Sequence, residues 1–277
     1  MEAQLQRRVQ RYGWDRAAPH YNQCWREALL SATAALLRLA ALTPGERVLD
    51  VACGTGVLSL EAARAVGADG AVVGTDISAK MVAAADAAAL ALGYRHCTFE
   101  RRDAEQDPHP GSAFDAALCG LGLMYMPDPE RAVAGMVKCL ARDGRLVASV
   151  WGRRDRCGWA SVFPIVDAHV ESDVCPMFFR LGACGAMENA LSAAGLHDIH
   201  AERVTCGLAY RSGDAACDAA FLGGPVALAY ARFDAATQAS VRADYLQSIA
   251  AYREAGGYRI PAEFVVARGS WRQGRGV

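Results

Sequence analysis

From Arg47 to Val150, short apolar runs rich in β-branched residues alternate with longer stretches of helical character. This is the pattern of a parallel sheet wrapped by crossover helices. It predicts strands at Arg47–Val51, Ala71–Thr75, Thr98–Arg101, Ala116–Cys119 and Arg145–Val150. The helices between them have readable ends. Leu58–Ala65 follows the first strand, Ser78 is placed to cap the alanine-rich run Met81–Leu92 before Gly93 ends it, and Asp128-Pro129 opens a helix that runs to Leu140. Arg142-Asp143-Gly144 reads as a turn feeding the fifth strand.

The flanks carry a looser pattern. In Glu2 to Leu42, Leu29, Leu30, Ala34, Leu37 and Ala41 recur at helical spacing, and Thr43-Pro44-Gly45 closes the stretch. Beyond the fifth strand, Cys157–Arg180 has no clear period, Ala186–Ala194 reads as a helix ended by Gly195, and Ile199–Val204 as a strand. Asp214–Ala255 reads as mostly helical, and Ala262–Ala267 as a last apolar strand. The expected organisation is an N-terminal helical cap at 1–44, a core at 45–152, and a region at 153–277 that completes the sheet and carries helical insertions near 153–190 and 207–258.

Composition narrows the class of partner. With 29 basic and 30 acidic side chains in 277 residues, the net charge of −1 supplies no field for nucleic-acid phosphates, so no nucleic-acid partner is expected. The Arg153, Arg154 and Arg156 cluster is broken by Asp155 and reads as a solvated loop. Apolar stretches such as Ala83 to Leu92 are too short to span a bilayer and no signal segment opens the chain, so no membrane partner and a cytoplasmic location are expected. The ten cysteines stand singly, without a C-x-x-C pair, and read as buried apolar residues of a reducing compartment rather than as metal ligands.

The strongest chemical signal is Val48-Leu49-Asp50-Val51-Ala52-Cys53-Gly54-Thr55-Gly56, a buried strand running into a glycine-bearing turn and a helix. Glycines at the carboxyl end of a first strand let a cofactor approach the backbone closely, although an ordinary tight turn would read the same way. Twenty residues after Gly56, Asp76 ends the second strand, where a carboxylate can accept from both hydroxyls of a ribose. That spacing is shared with nicotinamide-binding folds. Two features count against a dinucleotide: Gly56 is followed by Val57-Leu58-Ser59 without the third small residue, and Asp50 would meet a pyrophosphate with like charge but an amino-acid ammonium with opposite charge. Asp50 could also serve as a turn or capping residue. After the third strand, Asp103 can accept from an adenine amino group while the Ala104 N–H meets a ring nitrogen, or Asp103 could simply cap a turn.

The run VLDVACGTG, Asp76 with Ser78 and Met81 behind it, the segment Arg102-Asp103-Ala104-Glu105, and Phe114-Asp115 followed by Gly122-Leu123-Met124-Tyr125-Met126-Pro127-Asp128-Pro129 together resemble the class I S-adenosylmethionine-dependent methyltransferases. The likeness is greatest to the bacterial small-molecule branch that includes the ubiquinone and menaquinone C-methyltransferases. It covers Tyr12 to Trp151 and, more weakly, the strand near Phe264.

The resemblance implies an α/β fold: a Rossmann-like, doubly wound, mostly parallel seven-stranded sheet, with helical insertions in the N-terminal and C-terminal parts covering the active site. It implies S-adenosylmethionine as cofactor, S-adenosylhomocysteine as product, and a small molecule as methyl acceptor. Carried over by position, Asp50, Ala52, Cys53, Gly54 and Gly56 belong to the methionine end, Asp76 holds the ribose, and Ile77 and Met81 flank the adenine. Asp103, Ala104 and Glu105 meet the adenine edge, and Cys119, Gly120 and Leu121 lie beside the sulfonium. Trp14-x-x-Ala17-Ala18-x-x-Tyr21 resembles the aromatic segment that covers the cofactor in this branch, which makes Tyr21 a contact, although an amphipathic helix packing its aromatics inward would look the same. Two departures stand out: Asp143-Gly144 replaces the usual glycine pair, and the segments after Trp151 match no acceptor-defining pattern.

Methyl transfer from a sulfonium is an in-line displacement that can rest on alignment and exclusion of water. A base serves only a protic acceptor. Candidates are His169, His20, Tyr125 and Glu171, each of which reads more readily as structural than as catalytic. Phe221, Leu222, Leu228, Tyr230, Phe233 and Tyr245 suggest a hydrophobic or aromatic acceptor, or else the core of a helical cap. The residues leave open which atom is methylated and whether the chain is a monomer or homodimer. The alternatives are an NAD(P)-dependent oxidoreductase on the same sheet and a non-catalytic protein that keeps the cofactor pocket.

Overall fold

The computed structural model describes residues 3–111, 113–171, 175 and 177–272. Helices α1 (Ala3–Trp25) and α2 (Leu30–Ala40) precede β1 (Arg47–Val51), and α3 (Val57–Val66), β2 (Ala71–Asp76), α4 (Ala79–Ala91), β3 (Cys97–Arg101) and β4 (Phe114–Gly120) follow. Next come α5 (Pro129–Cys139), β5 (Leu140–Trp151), α6 (Val162–Asp167), α7 (Ala186–Ala193) and β6 (His197–Tyr210). The last part holds α8 (Gly213–Phe221), α9 (Ala227–Tyr230), α10 (Ala235–Ser248), β7 (Arg253–Glu254) and β8 (Gly257–Ser270). Among the described residues, no helix is long and apolar enough to cross a membrane.

The sheet runs in the order β3-β2-β1-β4-β5-β8-β6, seven strands as expected, and the two-residue β7 joins β8 as an eighth. Strands β3 to β5 are mutually parallel, while β8 lies antiparallel between β5 and β6. The chain winds outward from β1 to β3 and then crosses back to β4, so the order reverses between β1 and β4. A crevice forms outside the strand carboxyl ends at such a reversal.

Alternation along the strands sorts side chains onto two buried layers. Val48, Ala116, Leu118 and Val147 join one apolar cluster, while Leu49, Ala117, Cys119, Leu146 and Ala148 join the other. On the first layer, α4 turns the small residues Ala85 and Ala89 inward behind Met81, and α3 turns Leu58, Ala62, Ala63 and Val66. The helix starts follow the capping logic: Ser78 Oγ accepts from Met81 N at 3.1 Å, and Asp128 Oδ1 from Arg131 N at 3.0 Å with Pro129 in the first turn.

Three elements differ from expectation. Arg142-Asp143-Gly144 is not a free turn but a bulge within β5: Leu140 pairs with Phe114 and Arg145 with Ala116, leaving residues 141–144 opposite Asp115 alone. Asp143 takes φ +63° there, and Gly144 O accepts from Trp271 N at 2.7 Å, which carries the pairing with the chain beyond β8. Strands β6 and β8 are also much longer than their apolar centres, because they pair with each other from His197↔Ser270 to Tyr210↔Tyr258 and β6 leaves one edge to solvent. Its alternating polar positions hide it from an apolar-run reading. The region read as mostly helical over Asp214–Ala255 is three helices and a 3-10 turn that end in the β7–β8 hairpin.

Candidate active site

The floor of the crevice is built from backbone held in unusual conformations. After β1, Ala52 has φ +57°, Gly54 +56° and Gly56 +84°; after β4, Leu121 has φ +58°. A residue with a Cβ in the left-handed region costs on the order of 1–3 kcal/mol, so Ala52 and Leu121 each carry strain in the two loops at the sheet's switch point. The loops are fixed by their neighbours: Cys53 N donates to Thr75 O at 3.0 Å and Leu121 N to Ser149 O at 2.9 Å. They also touch, because a Cβ on Gly122 would stand 2.5 Å from Ala52 Cβ and 2.8 Å from Cys119 Sγ.

Asp76, at the end of β2, braces this floor. Its Oδ2 accepts from Gly54 N at 2.9 Å and its Oδ1 from Ser78 N at 2.8 Å, which leaves lone pairs on both oxygens for a ligand. Burial raises its pKa to about 6 against the pull of these two N–H donors.

Above the floor lies a cleft of about 1020 Å³, counted to its open mouth. Its β3 end is polar, lined by Asp76, Arg102, Asp103 and Glu105 with Ile77, Met81 and Ala104 between them, and covered by Arg7, Gln10 and Trp14 of α1. Asp103 Oδ1 accepts from Glu105 N at 3.0 Å and Gln106 N at 3.2 Å, and its Oδ2 lies 3.6 Å from Arg7 Nε. Glu105 Oε1 accepts from Asp128 N at 2.7 Å and lies 3.8 Å from Arg7; burial raises its pKa. Helix α1 is tethered further along. Asp15 Oδ1 accepts from Ser78 Oγ at 2.6 Å, and Asn22 Oδ1 from Thr55 Oγ1 at 2.6 Å. Trp14 stands edge-on to Tyr21 and Tyr125, with ring centroids 6.0 and 4.9 Å away. Burial first, and then Asp76, pushes the Tyr21 hydroxyl up to about 12; burial pushes that of Tyr125 well above its ordinary value.

The β5 end is apolar. Trp25 from the end of α1, Trp151 from the end of β5 and Trp159 from the loop before α6 line it with Leu29, Gly224 and Pro225. Trp151 lies 4.6 Å from Trp159 and 6.0 Å from Trp25 between ring centroids, and Phe264 and Phe178 pack behind. The Trp159 Nε1 donor is buried and has no partner among the described residues, an arrangement that costs about 1–3 kcal/mol. A side cavity shares Tyr21, Leu29, Ala52, Gly54, Gly120 and Leu121 with the cleft and adds Arg26, Thr33, Thr55 and Ser149.

The cleft brings together Tyr21, Ala52, Gly54, Asp76, Ile77, Met81, Asp103, Ala104, Glu105, Gly120, Leu121 and Tyr125. Other expected residues lie elsewhere. Asp50 is fully buried below the turn; its Oδ2 accepts from Ser59 Oγ at 2.5 Å and its Oδ1 has no partner among the described residues. Burial raises its pKa to about 7, with Asp76 adding to the rise and Ser59 opposing it. Cys53 lines the side cavity instead, and Cys119 is fully buried behind Gly122. Gly56 serves packing: a Cβ there would lie 3.0 Å from Ala85 Cβ of α4.

His20, His169 and Glu171 are exposed and line no part of the cleft. His20 follows Pro19 one position before Tyr21, so the helical turn that points Tyr21 inward directs His20 outward. His169 follows the end of α6 and packs its ring 5.7 Å from Phe233. Sequence reasoning missed Arg7, Gln10, Trp25 and Trp159 of the cleft and Arg26 of the side cavity. Trp151 was readable at most as a large residue at a strand's carboxyl end.

A methyltransferase-domain family matches residues 48–144. Nocamycin O-methyltransferase of Saccharothrix syringae is 30% identical over 200 residues, which cover 67% of this chain and 71% of that protein. The ubiquinone/menaquinone biosynthesis C-methyltransferase UbiE of Teredinibacter turnerae is 35% identical over 112 residues, 40% of this chain and 45% of that one, so the chain spans less than half of that relative's length. Among solved structures, the YcgJ protein of Bacillus subtilis aligns with a TM-score of 0.61 at 16% identity, covering 88% of this chain and 99% of that one, a likeness of fold.

Proposed function

Because the chain belongs to the S-adenosylmethionine-dependent methyltransferases of small molecules, we propose that its polar end holds the adenosine of S-adenosylmethionine and its tryptophan end a hydrophobic or aromatic methyl acceptor. The observation that carries this reading is the Asp76 carboxylate, held between Gly54 N and Ser78 N with lone pairs to spare for a ribose diol. The residues present fit the cofactor. A Cβ on Gly54 would meet nothing within 4 Å, which leaves open space above the turn, and Arg26, Thr33 and Thr55 in the side cavity suit an amino-acid carboxylate. Ile77 and Met81 flank the base, with Asp103 and Ala104 at its edge.

When bound, the cofactor supplies a methyl group already activated on sulfur. The chain's part is then placement. Gly120 and Leu121, fixed by Ser149, set the floor between the two ends, while α1 with Trp14 and Tyr21 closes the cleft against water. Residues 1–44 in this reading cover the cofactor, 45–152 bind it, and 153–277 enclose the acceptor. Ten free cysteines suit a reducing cytoplasm.

Calorimetric titration with S-adenosylmethionine, S-adenosylhomocysteine and NADH tests this on the wild type and Asp76→Ala. The sulfur nucleosides are expected to bind, with affinity about 10- to 100-fold weaker in the variant, since a charged hydrogen-bond acceptor contributes about 1.5–3 kcal/mol. Binding of NADH alone, or unchanged affinity in Asp76→Ala, would overturn the assignment.

A further inference from the structure

We propose, on the basis of that reading, that Glu263 of β8 is a positioning residue: through its ion pair with Arg203 of β6 it sets the spacing of the aromatic wall that receives the acceptor. The first ground is where its bonds go. Glu263 is buried, and its Oε1 accepts from Arg153 N at 3.0 Å and from Arg203 Nη1 at 2.7 Å. Its backbone oxygen accepts from Gly152 N at 2.6 Å and from the Cys157 thiol at 3.7 Å. Arg203 passes the hold onward, since its Nη2 donates to Gly182 O at 3.0 Å. The pair thus fastens the chain just beyond the end of β5 and again at Gly182, although Glu263 itself lines no part of the cleft.

The second ground is what leaves from those points. Trp151 immediately precedes Gly152, and Trp159 follows Cys157 by two positions. Phe178 and Phe179, whose rings lie 5.7 and 6.0 Å from that of Trp159, precede Gly182. Neighbouring residues of a strand face opposite ways, so Phe264 packs on the Trp151 ring at 4.4 Å while Glu263 acts from the other side of β8. The third ground is tight packing. A Cβ on Gly152 would stand 2.4 Å from Glu263 Oε1, and one on Gly182 would stand 2.2 Å from Gly152 O and 2.3 Å from Trp151 O. The carboxylate, Gly152 and Gly182 are stacked in contact, and a close-packed stack transmits a displacement instead of absorbing it. Removing the charge of Glu263 leaves Arg203 without its partner. The guanidinium, already partly exposed, then turns to solvent and releases Gly182, and both the strand end that carries Trp151 and the turn behind Trp159 relax.

Glu263→Gln, which keeps the shape and removes the charge, tests this in the full chain without turnover. Two affinities are measured: that of 2-naphthol, a flat aromatic probe, by tryptophan quenching in the presence of S-adenosylhomocysteine, and that of S-adenosylhomocysteine by calorimetry. In the variant 2-naphthol is expected to bind about fivefold more weakly, and S-adenosylhomocysteine within about twofold of wild type. Trp151 and Trp159, with ring centroids 4.6 Å apart and planes at 58°, couple their electronic transitions, and the resulting split circular dichroism is expected to shrink. A loss of stability alone leaves that couplet intact below the melting transition. If Glu263→Gln does not fold, Arg203→Gln carries the same measurements from the partly exposed partner, with a loss of about threefold in 2-naphthol affinity expected. Undiminished 2-naphthol affinity or an unchanged couplet in the folded variant, or an equal loss of both affinities, overturns the proposal. So does a wild type that binds S-adenosylhomocysteine but not 2-naphthol. Failure of the wild type to bind S-adenosylhomocysteine defeats instead the functional reading beneath it.

Discussion

The two ends of the cleft are built on opposite principles. At the β3 end the acidic side chains are held by the protein: Asp76, Asp103 and Glu105 accept backbone N–H groups, and Arg7 bridges the last two from α1. At the β5 end three tryptophans meet with a donor left over. The difference teaches that an invariant ligand and a variable one need different walls. A nucleoside has fixed donors and acceptors and rewards a preset hydrogen-bond array, whereas apolar aromatic walls select chiefly by shape.

Three substitutions put this contrast under strain, in descending order of effect. Gly122→Ala strikes where the ends meet, driving a Cβ against Ala52 and Cys119. It is expected to destabilise the protein by about 1–3 kcal/mol and to weaken nucleoside and acceptor binding together. Thermal unfolding and both titrations check this, and loss at one end alone would show the ends to be separable at their junction.

Asp50→Asn sharpens the contrast from below. The folded pKa of Asp50, about 7, lies above the value of an unfolded aspartate. Between roughly pH 4 and 7 the folded state therefore holds a proton that the unfolded state lacks, and stability declines as pH rises through that window. Asparagine removes the decline, so the unliganded variant is expected to exceed wild type by about 1–2 kcal/mol at about pH 8 and to match it near pH 4. Melting temperatures at the two pH values decide it, and an equal difference at both would refute a titration origin.

Arg7→Ala loosens only the polar end. Its contacts to Asp103 and Glu105 at 3.6 and 3.8 Å are partly exposed, so a loss of about 0.5–1 kcal/mol in S-adenosylhomocysteine affinity is expected, seen chiefly as faster dissociation. Stopped-flow displacement measures it. Acceptor probes should bind unchanged.

The same contrast decides what the sequence disclosed. The floor of the polar end comes from one stretch, 50–105, in which Gly54, Asp76 and Asp103 stand at or just after the ends of strands, so strand prediction alone brings them together; its cover from α1 does not. Trp25, Trp151 and Trp159 come from a helix end, a strand end and a loop, and their meeting depends on how α1 and the segments after β5 fold over the sheet. Asp50 misled for a related reason: spacing placed it beside the turn, but strand alternation buried its side chain beneath the backbone that the ligand would meet. His169 misled because burial of α6 through Val162, Phe163 and Val166 says nothing of where the chain turns after Asp167.

Strand β8 occupies an interior slot of the sheet although it is among the last elements in the chain. On a ribosome, β1 to β5 emerge long before residues 257–270, and until these arrive one edge of β5 lies unpaired and β6 has no neighbour to join. The nascent protein therefore passes through a stage with an open apolar strand edge, a template for pairing with other chains. Asp198, Glu202 and Arg203 put charge along the β6 border of that gap.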